Sequence, residues 1–215
     1  QKYPDVYLHT HLSEQLPEIE AVKAQFPWTE DYTGVYEHYG LLGARTVLAH
    51  GIHLSDSELD RLGQLDSSLA HCPSSNFFLK SGRFRLADVL QRQLRLGLGS
   101  DVGAGPELSL FRVMKDAQYM QAYTLVSLKT LFYLSTLGGA KALDQHQRVG
   151  NFEVGKEADF VILNLGGRSN LEKHRLSCST EQKDVDALLS GLIYLGDDRL
   201  VTATFVRGRK VYQQG

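Results

Sequence analysis

Four groups able to bind a metal or carry a proton stand where short apolar segments stop. They are His11 after VYLHTH (6–11), His50 in TVLAHG (46–51), His71 in SSLAHCP (67–73) and Asp101 closing LRLGLGSD (94–101). A single histidine in a strand is more often a hydrogen-bonded core residue than a ligand. Four such groups in one register point to a shared site. His9 and His11 are two residues apart and share a strand face, so the pair has the form of a chelate. Glu14 follows His11 by three residues, where the chain is leaving the sheet. A carboxylate there can reach an activated water without being a ligand, as a general base that later acts as general acid must. It could also be a helix-start carboxylate favoured by the helix dipole. Asp101 lies between LGLGS and VGAG, whose glycines let the chain turn tightly around an exposed carboxylate. It is a hard anionic ligand for a divalent ion, or else a cap for the next turn.

These groups need elements to hold them. The four apolar segments read as strands, and helical patterns separate them. PEIEAVKAQ (17–25) has Pro17 in its first turn. SDSE (55–58) matches a capping box, followed by Leu59, Leu62 and Leu65. Apolar stripes recur in 85–94, 109–120 and 127–143. Alternating strands and helices predict a parallel sheet with helical crossovers. The near-continuous apolar runs fit strands buried on both faces. In a parallel β/α barrel, functional side chains sit at the C-terminal ends of the strands, where these four groups fall. After about Val149 the pattern changes. ADFVILN (158–164) predicts a strand, and ATFVRGRKVYQQ (203–214) two strands around an Arg-Gly turn. Residues 165–183 read as loop, and 184–195 as a short helix running into a strand.

Composition narrows the function classes. Of 215 residues, 42% are hydrophobic and 22% charged, which suits a globular domain with a substantial core. The formal net charge is −2 and the basic residues do not cluster, which argues against a nucleic-acid surface. No apolar run approaches the length of a membrane span. Cys72 and Cys178 are the only cysteines; one pair could form a disulfide, but nothing suggests a secreted framework, so a reducing cytoplasm is expected.

HTHLSE (9–14), LAHG (48–51), HCPSSN (71–76), GLGSDVGAG (97–105) and GKEADFVIL (155–163) resemble the amidohydrolase superfamily in its aminohydrolase branch. STLGGAKAL (135–143), NFEVGKEADF (151–160) and YLGDDR (194–199) draw the resemblance toward members acting on guanine. It implies a (β/α)8 barrel binding one metal, zinc by preference with iron possible. Residues 1–148 would be the C-terminal half of that barrel, about four βα units. Residues 149–215 would supply C-terminal strands of a small β-sandwich. The first four strands and the HxH ligand pair would lie outside this chain. His11 and Asp101 match two metal ligands, and Glu14 the HxxE proton shuttle. His50 matches a histidine beside the metal water, either ligand or orienting group. His71 and Asn76 match a supporting segment. The implied catalytic set is Glu14, His50 and Asp101; the implied substrate contacts are His11, Glu14 and Asp101. The implied reaction is hydrolytic deamination of guanine in a homodimeric enzyme, with no nucleic-acid or membrane partner. Adenosine-like or triazine substrates are the alternatives, as is a non-catalytic half-barrel. The second zinc deaminase design needs a PCxxC segment, which this sequence lacks.

Overall fold

The computed structural model describes residues 5–165, 171, 173, 174 and 184–215. Four strands, β1 (Leu8–Leu12), β2 (Thr46–His50), β3 (Ser68–His71) and β4 (Arg95–Leu98), form a parallel sheet in chain order. Helices α1 (Leu16–Gln25), α2 (Tyr32–His38), α3 (Asp56–Gln64), α4 (Pro73–Leu79) and α5 (Leu86–Gln91) lie in the connections. After β4 come α6 (Leu110–Tyr119), α7 (Leu128–Leu134) and α8 (Leu137–Ala142). A second, antiparallel sheet holds β5 (Phe160–Leu163), β6 (Val201–Val206) and β7 (Arg209–Gln213). Before β6, α9 (Val185–Leu195) packs on α6 and α7.

The parallel sheet is organised by burial. Every residue of β2 is buried, as its unbroken apolar run requires of an inner strand, whereas β1 alternates as an edge strand does. Leu48, Leu69 and Leu96 lie in one cross-strand row on β2, β3 and β4, all within the main core with Leu12. Each such leucine contributes roughly 1.5–3 kcal/mol on burial. The predicted capping box forms: the Ser55 hydroxyl accepts from the Glu58 N–H while the Glu58 carboxylate accepts from the Ser55 N–H. That carboxylate is itself buried and also accepts from the Thr33 hydroxyl at 2.9 Å, tying α3 to α2.

Several local expectations change. The stripe over 127–143 is two helices, broken at Ser135 and Thr136, so that α8 can lie close on β4. A Cβ at Gly97 of β4 would come within 3.1 Å of the Gly139 backbone, tighter than ordinary contact, so the close approach favours glycine there. Residues 185–195 are wholly helical, and the chain enters β6 only after a 3-10 turn at Asp198–Leu200. The loop expected over 165–183 falls mostly outside the described residues, and Leu171, Lys173 and His174 within it are helical. Helices α2 and α4 have no counterpart in the sequence reading. The Arg-Gly turn is present: Arg207 and Gly208 both take positive φ, as a two-residue hairpin of the I′ type demands. Cys72 is a free, buried thiol, pushed up to about 12 by that burial; Cys178 lies outside the described residues.

Candidate metal centre

The C-terminal ends of β1, β2 and β4 converge. One ligand atom from each of His11, His50 and Asp101 lies within 4.8 Å of the others. The His11 and His50 rings stack, with centroids 5.1 Å apart. Asp101 stands three residues past β4, on a turn closed by the Gly105 N–H donating to its carbonyl. The strand ends are bent to reach this point. Ser13, His50 and Asp101 all take left-handed backbone at φ 47°, 72° and 50°. For residues other than glycine this costs of order 1–3 kcal/mol each, and such strain persists where surroundings impose it, characteristically at functional sites.

His50 is wholly buried, and its two nitrogens have different surroundings. Nδ1 lies 2.9 Å from Asn76 Oδ1. An amide oxygen only accepts, so Nδ1 carries the proton and Nε2 of the neutral ring keeps its lone pair. Nε2 has no hydrogen-bond partner; it faces Glu14 Oε2 at 3.6 Å and Asp101 Oδ2 at 3.8 Å. These separations are too long for hydrogen bonds, whereas His11, His50 and Asp101 lie close enough together for one ion to bond all three. Two imidazoles and a carboxylate suit a zinc-class or iron-class divalent ion. The donor set therefore fits the implied metal, with His50 placed where it could be a ligand.

Glu14 sits at the mouth of the cluster. Its backbone N–H donates to Glu18 Oε2 at 3.0 Å, and its Oε1 accepts from the Ser81 hydroxyl at 2.8 Å. Oε2 is left facing His50. His71, the fourth strand-end group, is not in the cluster. Its buried ring stacks on Phe84 at 4.3 Å, and burial pushes its pKa down to about 3, so it stays neutral. His9 also stays out, exposed on the edge strand. Tyr36, Ser81 and Gln15 were not anticipated as contributors: their partners in the site are 25, 67 and 66 residues away or more than one bond removed, a relation that no local motif encodes.

The Amidohydrolase family model matches residues 1–211, and the chain belongs to that family. Its relatives are narrower in kind. Guanine deaminase of Escherichia coli (strain K12) is 41% identical over 217 residues, covering 100% of this chain and 48% of the relative. A solved structure of E. coli guanine deaminase superposes with a TM-score of 0.94 at 39% identity, over 100% of this chain and 49% of that one. Guanine deaminase from C. acetobutylicum, solved with guanine bound in the active site, gives 0.83 at 31% identity, over 96% and 49%. The chain thus spans about half the length of the curated relatives it matches. Among the described residues, no helix is long and apolar enough to cross a membrane.

Proposed function

We propose that this chain carries the proton-transfer side of a metal-dependent guanine deaminase, converting guanine and water to xanthine and ammonia. The observation behind the reading is the convergence of His11, His50 and Asp101 with Glu14 at their edge. A zinc ion held by His11 and Asp101, with His50 beside it, would lower the pKa of water to roughly 7. Glu14 Oε2 takes the proton from the attacking water and returns it to a ring nitrogen of the base. Asp101 holds the attacking oxygen, takes its second proton and passes it to the departing amine, which leaves as ammonia. His50, with its lone pair turned inward, orients the water or binds the ion. His11 and the two carboxylates meet the substrate from the open side of the sheet. Similarity to guanine deaminases supports guanine over adenosine-like or triazine substrates.

The proposal includes a boundary near residue 148, based on sheet membership: β1–β4 precede it and β5–β7 follow it, while α9 returns to α6 and α7. It also includes a homodimer in a reducing cytoplasm, in keeping with the free thiol of Cys72. The test uses the protein at the full length of its relatives. Glu14→Gln should lower guanine turnover by about a thousandfold or more while leaving bound metal unchanged. Near-normal ammonia release from that variant would refute the reading. Preferential turnover of adenine, cytosine or a triazine by the parent would move the substrate assignment.

A further inference from the structure

We propose that Ser81 is a positioning residue for Glu14, selecting which carboxylate oxygen carries the proton. The proposal rests on the reading of Glu14 as proton carrier, and concerns how that carrier is aimed. The Ser81 hydroxyl stands between two side chains, Gln15 Nε2 and Glu14 Oε1, each 2.8 Å away. It has one proton to give. The Gln15 amide nitrogen can only donate, so it occupies a lone pair of the hydroxyl, and the hydroxyl proton is directed to Glu14. Oε1 is thereby committed as an acceptor. Oε2, turned toward His50 Nε2 at 3.6 Å, is the oxygen left to receive a proton.

The fold holds Ser81 for this contact. Helix α4 ends at Lys80 in left-handed backbone, and the Ser81 N–H donates back to the Asn76 carbonyl at 3.1 Å. The Ser81 carbonyl accepts from His53 Nε2 at 2.9 Å. Gly82 follows at φ 130°, where a Cβ would fall 2.8 Å from Ile52 Cγ2. Ser81 is 4% exposed, so its hydroxyl is shielded from competing water. Asn76 orients the ring of His50 through its side chain and anchors Ser81 through its carbonyl. One short helix and the turn that ends it thus aim both His50 and Glu14, from residues far away in sequence. A hydroxyl donor fixing an ionised carboxylate is a charge-assisted bond, stronger than a neutral one. Because it fixes orientation and not substrate, its loss should fall on turnover.

The experiment is carried out on the protein at its relatives' full length. Ser81→Ala should lower kcat for guanine by about 10-fold to 100-fold, with KM changed by less than about threefold. Metal stoichiometry should match the parent, and Tm should fall by no more than a few degrees, about what one lost buried hydrogen bond costs. Ser81→Thr, which keeps the hydroxyl, should recover most of the loss. Gln15→Leu, at a half-buried position, should lower kcat by about threefold to tenfold, because the hydroxyl is then free to rotate. On a Glu14→Gln background, Ser81→Ala should have no further effect. The proposal is overturned if Glu14→Gln is inactive while Ser81→Ala and Gln15→Leu both keep kcat within about twofold of the parent. It is also overturned if a crystal structure of Ser81→Ala shows the Glu14 carboxylate unmoved. Normal activity in Glu14→Gln would instead remove the underlying reading of Glu14.

Discussion

The edge strand β1 and the inner strands β2 and β3 all place histidines at or near the same end of the sheet, and hold them by opposite means. His11 on β1 is exposed, and its backbone is what the protein grips: the Tyr36 hydroxyl donates to the His11 carbonyl at 2.9 Å. His50 on β2 is wholly buried, and its ring is gripped through Asn76. His71 on β3 is buried too, but neither ring nitrogen has a hydrogen-bond partner, and its ring stacks on Phe84. Burial therefore does not by itself bring a histidine into the cluster. What separates His50 from His71 is a partner that fixes one nitrogen while turning the other toward two carboxylates.

The sharpest test of that distinction is Asn76→Ala. It deprives the buried Nδ1–H of its acceptor, which costs about 1–3 kcal/mol of stability. It also frees the His50 ring to rotate, or to exchange the positions of its proton and lone pair. In the protein at its relatives' full length, kcat should fall by about 100-fold, more than for any change at Tyr36. Turnover within a few-fold of the parent would show that the inner strand does not depend on its side-chain hold.

His71 supplies a test of the inner strands that is independent of activity. Its folded pKa, about 3, lies below its unfolded value near 6.5. The folded state then binds fewer protons than the unfolded state between those limits. The contribution to stability is fully present above about pH 6.5 and is lost as pH falls toward 3. Between pH 7 and 4.5 it amounts to about 2–3 kcal/mol. Urea midpoints measured across that range should fall with acidity, and His71→Leu should flatten part of the slope. An unchanged slope in that variant would mean that the ring is hydrated or paired in solution.

The same contrast explains what the sequence could and could not tell. His11, Glu14, His50 and Asp101 were legible because strand ends and the HxxE spacing are local signals, and the structure brings these residues together. The four parallel strands were legible because buried strands read as apolar runs. His71 carried the same strand-end signal but lies outside the cluster; nothing local distinguishes a ring that meets a carboxylate from one that meets Phe84. Helix α4 was hidden because its burial runs against its polarity: the polar Ser74, Ser75 and Asn76 are buried, and Phe77, Phe78 and Leu79 are exposed. Four of its first residues, Pro73 to Asn76, are buried, which leaves no amphipathic stripe to detect. The break between α7 and α8 was hidden because it answers to a close approach on β4, a long-range demand. The contacts of Tyr36 and Ser81 span tens of residues, and a pattern of neighbours cannot register them.

The smallest expected effect lies on the edge strand. The Leu12 carbonyl points to β2, where it accepts from the Gly51 N–H. Carbonyls alternate along a strand, so that of His11 points away from the sheet, toward the side where β1 has no neighbour among the described strands. Among the described residues, the Tyr36 hydroxyl is the donor that this carbonyl meets. Burial and the neighbouring Tyr36 hydroxyl raise the pKa of the Tyr32 phenol, so Tyr32 keeps its proton alongside the group that holds His11. Tyr36→Phe removes this one hydroxyl and leaves the ring, so stability should fall by about 1 kcal/mol. Metal affinity should weaken by about threefold to tenfold, since an exposed ligand on a loosened strand end must be reordered on binding. Equilibrium dialysis with zinc would read the second quantity. A loss as large as that from Asn76→Ala would erase the contrast, because it would make the exposed strand as dependent on a single hydrogen bond as the buried one.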